Sequence, residues 1–385
     1  MIRSRSRAAS LRDAVVLATC VVLPSMSVLA VAACAASDVA DGPDANGRLT
    51  IPSGDAGDEA SAADGAVDAP ILPCASGDLC SAPTPLTVGF VTAISGRSKS
   101  DVWASATGGV LMHWDGHQWT GLASDYSDTL SSIYLTPDEM WGISGNLVLR
   151  RQIDPSSVRT ARVNLQIGFL FRSLSGIAVF LAGGPYVIVA PGAYPTVPGQ
   201  FVAELDFDTG GLTYLPDPIL PGGGRAQYVG FRASFLVPNK ALWIVGDQAV
   251  VARYPVSAGD DGGSSPLGEG VVFSIASRSD LLAAWGHGEQ LWAAGRNGTI
   301  LHFDGAEWRT EKVPTKVTLN AIFGLSPNDI WAAGDNGTVL HFDGKAWSPV
   351  GVGAYGGSFK AVWAAAPDDV WIGGEGGMFH WGALP

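Results

Sequence analysis

Four segments of this chain are copies of one another. They run from Asp101-Val102-Trp103 through His113-Trp114-Asp115-Gly116, from Leu291-Trp292 through His302-Phe303-Asp304-Gly305, from Ile330-Trp331 through His341-Phe342-Asp343-Gly344, and from Val370-Trp371 through His380-Trp381. The tryptophans of the last three stand 39 and 40 residues apart. A unit of that length cannot bury both of its faces alone, so neighbouring copies have to stack and share a core. Weaker copies at Met140-Trp141, Val179-Phe180 and Leu242-Trp243 bring the anchors to Trp103, Trp141, Phe180, Trp243, Trp292, Trp331 and Trp371. Their separations are 38, 39, 63, 49, 39 and 40 residues, so two intervals carry insertions. The stretches Ser257 to Gly270, Pro191 to Pro198 and Pro216 to Gly224 read as loops within them.

Each unit has one internal grammar, clearest between Thr318 and Trp347. Thr318 to Phe323 reads as a strand, Ser326-Pro327-Asn328-Asp329 as a turn, and Ile330 to Ala333 as a second strand. Asn336-Gly337 favours the positive φ angles of a tight hairpin. Thr338 to Phe342 then returns, Asp343-Gly344 turns again, and Ala346-Trp347 opens a fourth strand. Four antiparallel strands per unit, at this period, predict an all-β chain whose units are the blades of a β-propeller. Seven blades are expected; six or eight are the alternatives, because the 63-residue interval is long enough to hide a degenerate copy. All thirteen tryptophans lie at or after Trp103 and are expected to pack between blades. The last unit ends without a fourth strand, and residues around Leu79 to Pro85 are positioned to supply it, which would close the ring and protect its edge.

The N-terminal end reads differently. Arg3, Arg5, Arg7 and Arg12 precede a mostly apolar run from Ala14 to Ala33, the pattern of a secretory signal. Val31-Ala32-Ala33-Cys34 resembles a bacterial lipobox, and that resemblance implies cleavage before Cys34, lipid on Cys34 and an outer-membrane anchor. Ordinary secretion and an uncleaved membrane anchor are the alternatives. The expected organisation is therefore a lipoprotein signal peptide at 1–33, a disordered acidic Ala/Gly/Asp-rich tether at 34–73, and a propeller at 74–385. The tether carries eight acidic residues against Arg48 alone, too little apolar surface to fold. Of four cysteines, only Cys74 and Cys80 remain after Cys20 and Cys34 are accounted for. An oxidising compartment would bridge them, free thiols being the alternative. Zinc is disfavoured, since two cysteines without a nearby histidine fall short of four ligands.

A formal net charge of −13 disfavours nucleic acid as a partner. The exception to the acidic balance is a cluster of Arg150, Arg151, Arg159, Arg162 and Arg172, either outward side chains on strands or an anion-binding patch. His113, His302, His341 and His380 share one repeat position. Equivalent positions in a ring stand apart, so these side chains are read as structural, capping a turn or meeting a neighbouring blade's backbone, and not as metal ligands. No cofactor is expected.

Asp115-Gly116, Asp304-Gly305 and Asp343-Gly344 are each followed by Trp119, Trp308 or Trp347. This resembles a shortened Asp-box turn of sialidase-like propellers and the photosystem assembly factor family, and the units also resemble WD-repeat and Kelch-type blades in part. The resemblance implies a turn whose Asp bonds its own backbone; it implies fold more than chemistry. A sialidase-type hydrolase would need three arginines converging with Tyr, Glu and Asp, and the spacing of Arg225, Arg232, Arg253, Arg278 and Arg296 selects no such set. The expectation is a non-catalytic, monomeric, exported lipoprotein that binds envelope protein or glycan partners and touches membrane only through its lipid. An envelope-complex assembly factor is the second reading, and a carbohydrate-active hydrolase the third.

Overall fold

The computed structural model describes residues 79–144, 147–153, 161–164, 178–181, 184–188, 202–205, 212–214, 219–220, 224–225, 230–237, 240–256 and 267–382. The signal peptide, the tether, Cys34, Cys74, Arg159 and Arg172 lie outside these residues. Among the described residues every regular element but three single 3₁₀ turns is a strand, and the sheets are antiparallel apart from one parallel pairing. The chain is an all-β propeller.

Six blades repeat one pattern. Their inner strands are Val91–Ser98, Ser132–Leu135, Phe231–Val237, Leu281–His287, Leu319–Ser326 and Phe359–Ala366. The second strands are Asp101–Ala106, Glu139–Ser144, Ala241–Gly246, Gln290–Gly295, Asp329–Gly334 and Asp369–Gly374. Third strands follow across tight turns, as at Val339–Phe342, where Asn336 and Gly337 both take the positive φ expected of the hairpin (55° and 64°). Fourth strands are short, as at Trp119–Leu122, Trp308–Thr310 and Trp347–Pro349.

The expected seven blades are corrected to six. Trp103, Trp141, Trp243, Trp292, Trp331 and Trp371 all fall in second strands, but Phe180 falls in Ala178–Leu181, the first strand of its sheet. That hydrophobic pair has the right spacing and the wrong phase, so the sheet from Ala178 to Tyr214 is no copy of the repeat. Pro216 to Gly224, expected as loop, includes the strand Ile219–Leu220, which pairs with Gly224–Arg225 and runs parallel beside Val271. These two strands widen the third blade to six strands.

Blade cohesion comes from the anchor tryptophans, all 4% exposed or less. Three of these indoles make ring contacts with the outer strands of the following blade. Trp243 lies 5.4 Å from Phe303, Trp331 lies 5.3 Å from Trp381, and Trp371 lies 4.8 Å from Trp114 and 5.1 Å from Trp119. An aromatic side chain of this size buries about 150–250 Å², worth roughly 4–6 kcal/mol at 25 cal/mol per Å² as an upper figure. A second contact repeats nearer the axis, where the ring of Trp285 rests on Gly324 and that of Trp363 on Gly96 of the next blade. The expected closure also forms. Cys80–Ala82 pairs antiparallel with Gly377–Trp381, in the register Cys80↔His380 and Ala82↔Met378, as the outer strand of the last blade.

The repeat histidines hold the anchors from within their own blade, correcting the expectation of turn capping or a neighbour's backbone. Each stands opposite its tryptophan in the register, stacked at 4.0 Å for Trp292 and His302 and 4.4 Å for Trp331 and His341. Nε2 meets Asp101 Oδ1 at 3.0 Å from His113, Asp329 Oδ1 at 2.8 Å from His341, and Asp369 Oδ1 at 3.1 Å from His380. The same Asp101 and Asp329 oxygens accept from the Trp103 and Trp331 indole N–H at 2.9 and 3.1 Å. In the second blade Arg150 and Glu139 stand in for His and Asp around Trp141. The Asp-Gly turns close on themselves. One carboxylate oxygen of Asp115, Asp304 or Asp343 accepts two backbone N–H groups at 2.8–2.9 Å, and these bonds hold each carboxyl below its ordinary range.

Two outcomes test this packing. A Cβ at Gly324 would sit 2.7 Å from Trp285 Cη2, and the buried indole has little room to retreat, so Gly324→Ala should cost about 1–3 kcal/mol, read as a lowered thermal midpoint. Cys80 is disulfide-bonded, its partner lying outside the described residues. Reductant should therefore lower the midpoint of the wild-type chain and leave that of Cys80→Ser unmoved.

Candidate functional site

Among the described residues a cavity of about 340 Å³ sits on the axis, lined by three consecutive residues from each of the six inner strands. Strands that run the same way around a ring bring equivalent residues to one level, so the lining is built in layers. The middle layer is Ala93, Ser132, Ala233, Ala283, Ala321 and Ala361. Small side chains there keep the channel open. The layer toward the strand ends is Ile94, Ile133, Ser234, Ala284, Ile322 and Val362, and the layer at the strand starts is Thr92, Ser131, Arg232, Leu282, Asn320 and Lys360.

The last of these layers owes its position to a backbone irregularity. In five blades the register skips one residue between the inner and second strands: Val91 and Ala93, Phe231 and Ala233, Leu281 and Ala283, Leu319 and Ala321, Phe359 and Ala361 have partners adjacent in sequence. The skipped residues are Thr92, Arg232, Leu282, Asn320 and Lys360. A bulge turns its extra side chain out of the alternation. Here the preceding residue stays fully buried between blades, and the bulged one faces the channel mouth.

Three of the mouth groups are held in place by an acid that directly follows a second strand, Asp247 or Asp335. Arg232 donates through Nε and Nη2 to Asp247 at 2.7 and 3.0 Å. Asn320 Nδ2 donates to Asp335 Oδ1 at 2.7 Å and to the Phe359 carbonyl at 2.9 Å, and Lys360 Nζ reaches Asp335 Oδ1 at 3.5 Å. Thr92 Oγ1 makes the matching cross-blade bond, to the Leu130 carbonyl at 2.6 Å. Burial pushes the Asp335 carboxyl up, but the hydrogen bonds from Asn320 and Ser358 and the Lys360 charge outweigh it and leave the group below its ordinary value. The Asp247 hydrogen bond raises Arg232 further.

Residues singled out from sequence fall mostly elsewhere. Arg150 donates to Glu139 at 2.7 Å, buried Arg151 donates to the Ala123 carbonyl at 2.8 Å, and Arg162 stands 3.3 Å from Asp125. The three described members of the expected anion patch thus engage the protein's own acceptors. Of the arginines weighed for a hydrolase, Arg232 alone lines the cavity among the described residues, while Arg253 lies over Trp243 and Arg296 pairs with Asp280 at 3.1 Å. Lys360, Asn320, Thr92 and Ser234 were missed. Aligning the copies on Trp103, Trp243, Trp331 and Trp371 would have put Thr92, Arg232, Asn320 and Lys360 in one column, the available signal.

No protein-family model matches the chain, and no curated protein does. Among solved structures it is similar to YCF48 bound to D1 peptide, with TM-score 0.55, 16% identity, and coverage of 82% of this chain and 99% of that one. It is also similar to YCF48 from Cyanidioschyzon merolae (0.59, 12%, 79% and 98%) and to streptogramin B lyase (0.58, 12%, 77% and 94%). At these identities the likeness is one of fold.

The depressed Asp335 fixes a sign. Its contribution to stability is fully present above the unfolded value, about 3.9, and is lost as pH falls through the lower folded value. The thermal midpoint of Asp335→Asn should therefore fall less steeply than wild type as pH drops from 5 to about 2, measured by scanning calorimetry across that range.

Proposed function

We propose that the protein works by binding, without catalysis, and that its channel mouth receives a segment of a partner protein at the cell envelope. The observation that carries this reading is the repeated bulge, which gathers donors from several blades around one opening on a rigid frame. Polar groups converging on a concave, otherwise apolar site are what a binding pocket requires. The carboxylates beside them, Asp247 and Asp335, already accept from Arg232, Asn320 and Lys360, and Asp335 is held below its ordinary pKa. A general acid at neutral pH needs the opposite shift. One structure of similar fold, YCF48, is described with a bound D1 peptide, which supports a peptide as occupant of such a frame. An assembly role at the envelope is the same chemistry with a transient partner. The Val31-Ala32-Ala33-Cys34 motif supports export, a lipid on Cys34 and an outer-membrane anchor, with secretion the alternative.

The test is selection of extended peptides from a displayed library on the full chain, followed by hydrogen–deuterium exchange of the complex. Bound peptides should slow exchange in residues 91–94, 231–234, 319–322 and 359–362. Protection confined to outer strands, or cleavage of the selected peptides, would overturn the proposal.

A further inference from the structure

The layers of the cavity differ in chemistry along the axis. At the mouth, Lys360 carries three donors and uses one on Asp335, while Arg232 carries five and gives Asp247 its Nε and Nη2. Both therefore keep donors for a ligand, and their ion pairs hold them in position. Below them the wall is alanine, and beyond that it is Ile94, Ile133, Ile322 and Val362. Ser234 breaks that apolar level. It is 5% exposed, lines the cavity, and its hydroxyl has no hydrogen-bond partner among the described residues. A buried hydroxyl left without a partner is uncommon and points to a group from outside.

From these features we infer that the cavity binds a monocarboxylate carrying an apolar group, its carboxylate on the spare donors of Arg232 or of Lys360 and its apolar part in the alanine waist. Spare donors, not net charge, set the ligand's charge: the ion pairs leave the mouth neutral, and one carboxylate is enough to take those donors. Three residues of strand span roughly 7 Å of depth, and the volume falls at the lower end of small-molecule sites, about 300–1,000 Å³. A short aliphatic acid and the terminal residue of a polypeptide share this chemistry. The inference rests on the binding reading above and deepens it.

Titration calorimetry on the full chain separates the outcomes. The probes are octanoate and octanamide, and one hexapeptide ending in leucine as free acid and as amide. Acids should bind about tenfold or more tightly than their amides. Arg232→Gln with Lys360→Gln should remove that preference, and Ala283→Leu, which narrows the waist and leaves every charge in place, should weaken both acids. Tighter octanoate identifies a free acid as the occupant, and a tighter peptide acid identifies a partner's terminus. Equal affinity for acid and amide, or acid binding that survives both sets of substitutions, overturns the inference. If no acid binds while selected internal peptides still protect the inner strands, this inference fails and the binding reading stands.

Discussion

The fold depends on one indole per blade. The second-strand tryptophan is gripped from its own blade by a stacked histidine or arginine, and Trp243, Trp331 and Trp371 reach the outer strands of the next blade. Hydrogen bonds from the indole N–H groups to Asp101 and Asp329 fix the ring's direction, and packing supplies the larger energy. Among the described residues the indole N–H has no partner at Trp292, where Gln290 replaces the acid, nor at Trp371, where Asp369 is present, yet both residues are 1% exposed or less. Packing is the stronger constraint, and polar orientation is a refinement of it.

Because this cohesion lies in the second to fourth strands, the inner strands carry less of it. They can depart from regular pairing, and five of them do so at the same step. The bulge sends one side chain per blade to the mouth while its predecessor stays in the core. Thr92, Arg232, Leu282, Asn320 and Lys360 share a position and no chemistry, whereas the alanines after them share both. Substitution at the mouth can therefore change what is bound without disturbing what holds the blades.

What the sequence made legible follows the same division. Trp103, Trp292, Trp331 and Trp371 announce themselves because a buried indole tolerates few replacements, and Asp115-Gly116 or Asn336-Gly337 because a tight turn constrains its residues locally. The closing strand at Cys80–Ala82 was legible from the missing fourth strand of the last unit. The blade count was not, since Val179-Phe180 satisfies the spacing and only strand phase exposes the mismatch. Nor were Arg232, Asn320 and Lys360, whose placement comes from a register skip that depends on pairing. The partners of the repeat histidines were hidden for a similar reason, since Asp329 and His341 meet across a hairpin twelve residues apart in sequence.

The closing strand has a consequence for how the molecule is made and loaded. In any process that threads the chain from its N-terminus, residues 80–82 emerge long before their partners at 378–380. The ring therefore stays unsealed until those partners arrive, a sequence separation that slows the closing step and leaves an edge of the last blade bare in the meantime. Once sealed, the same three residues stand where the preceding segment joins the blades. Tension on that segment would fall first on a short ladder of main-chain hydrogen bonds, and the disulfide at Cys80 sits at its leading end.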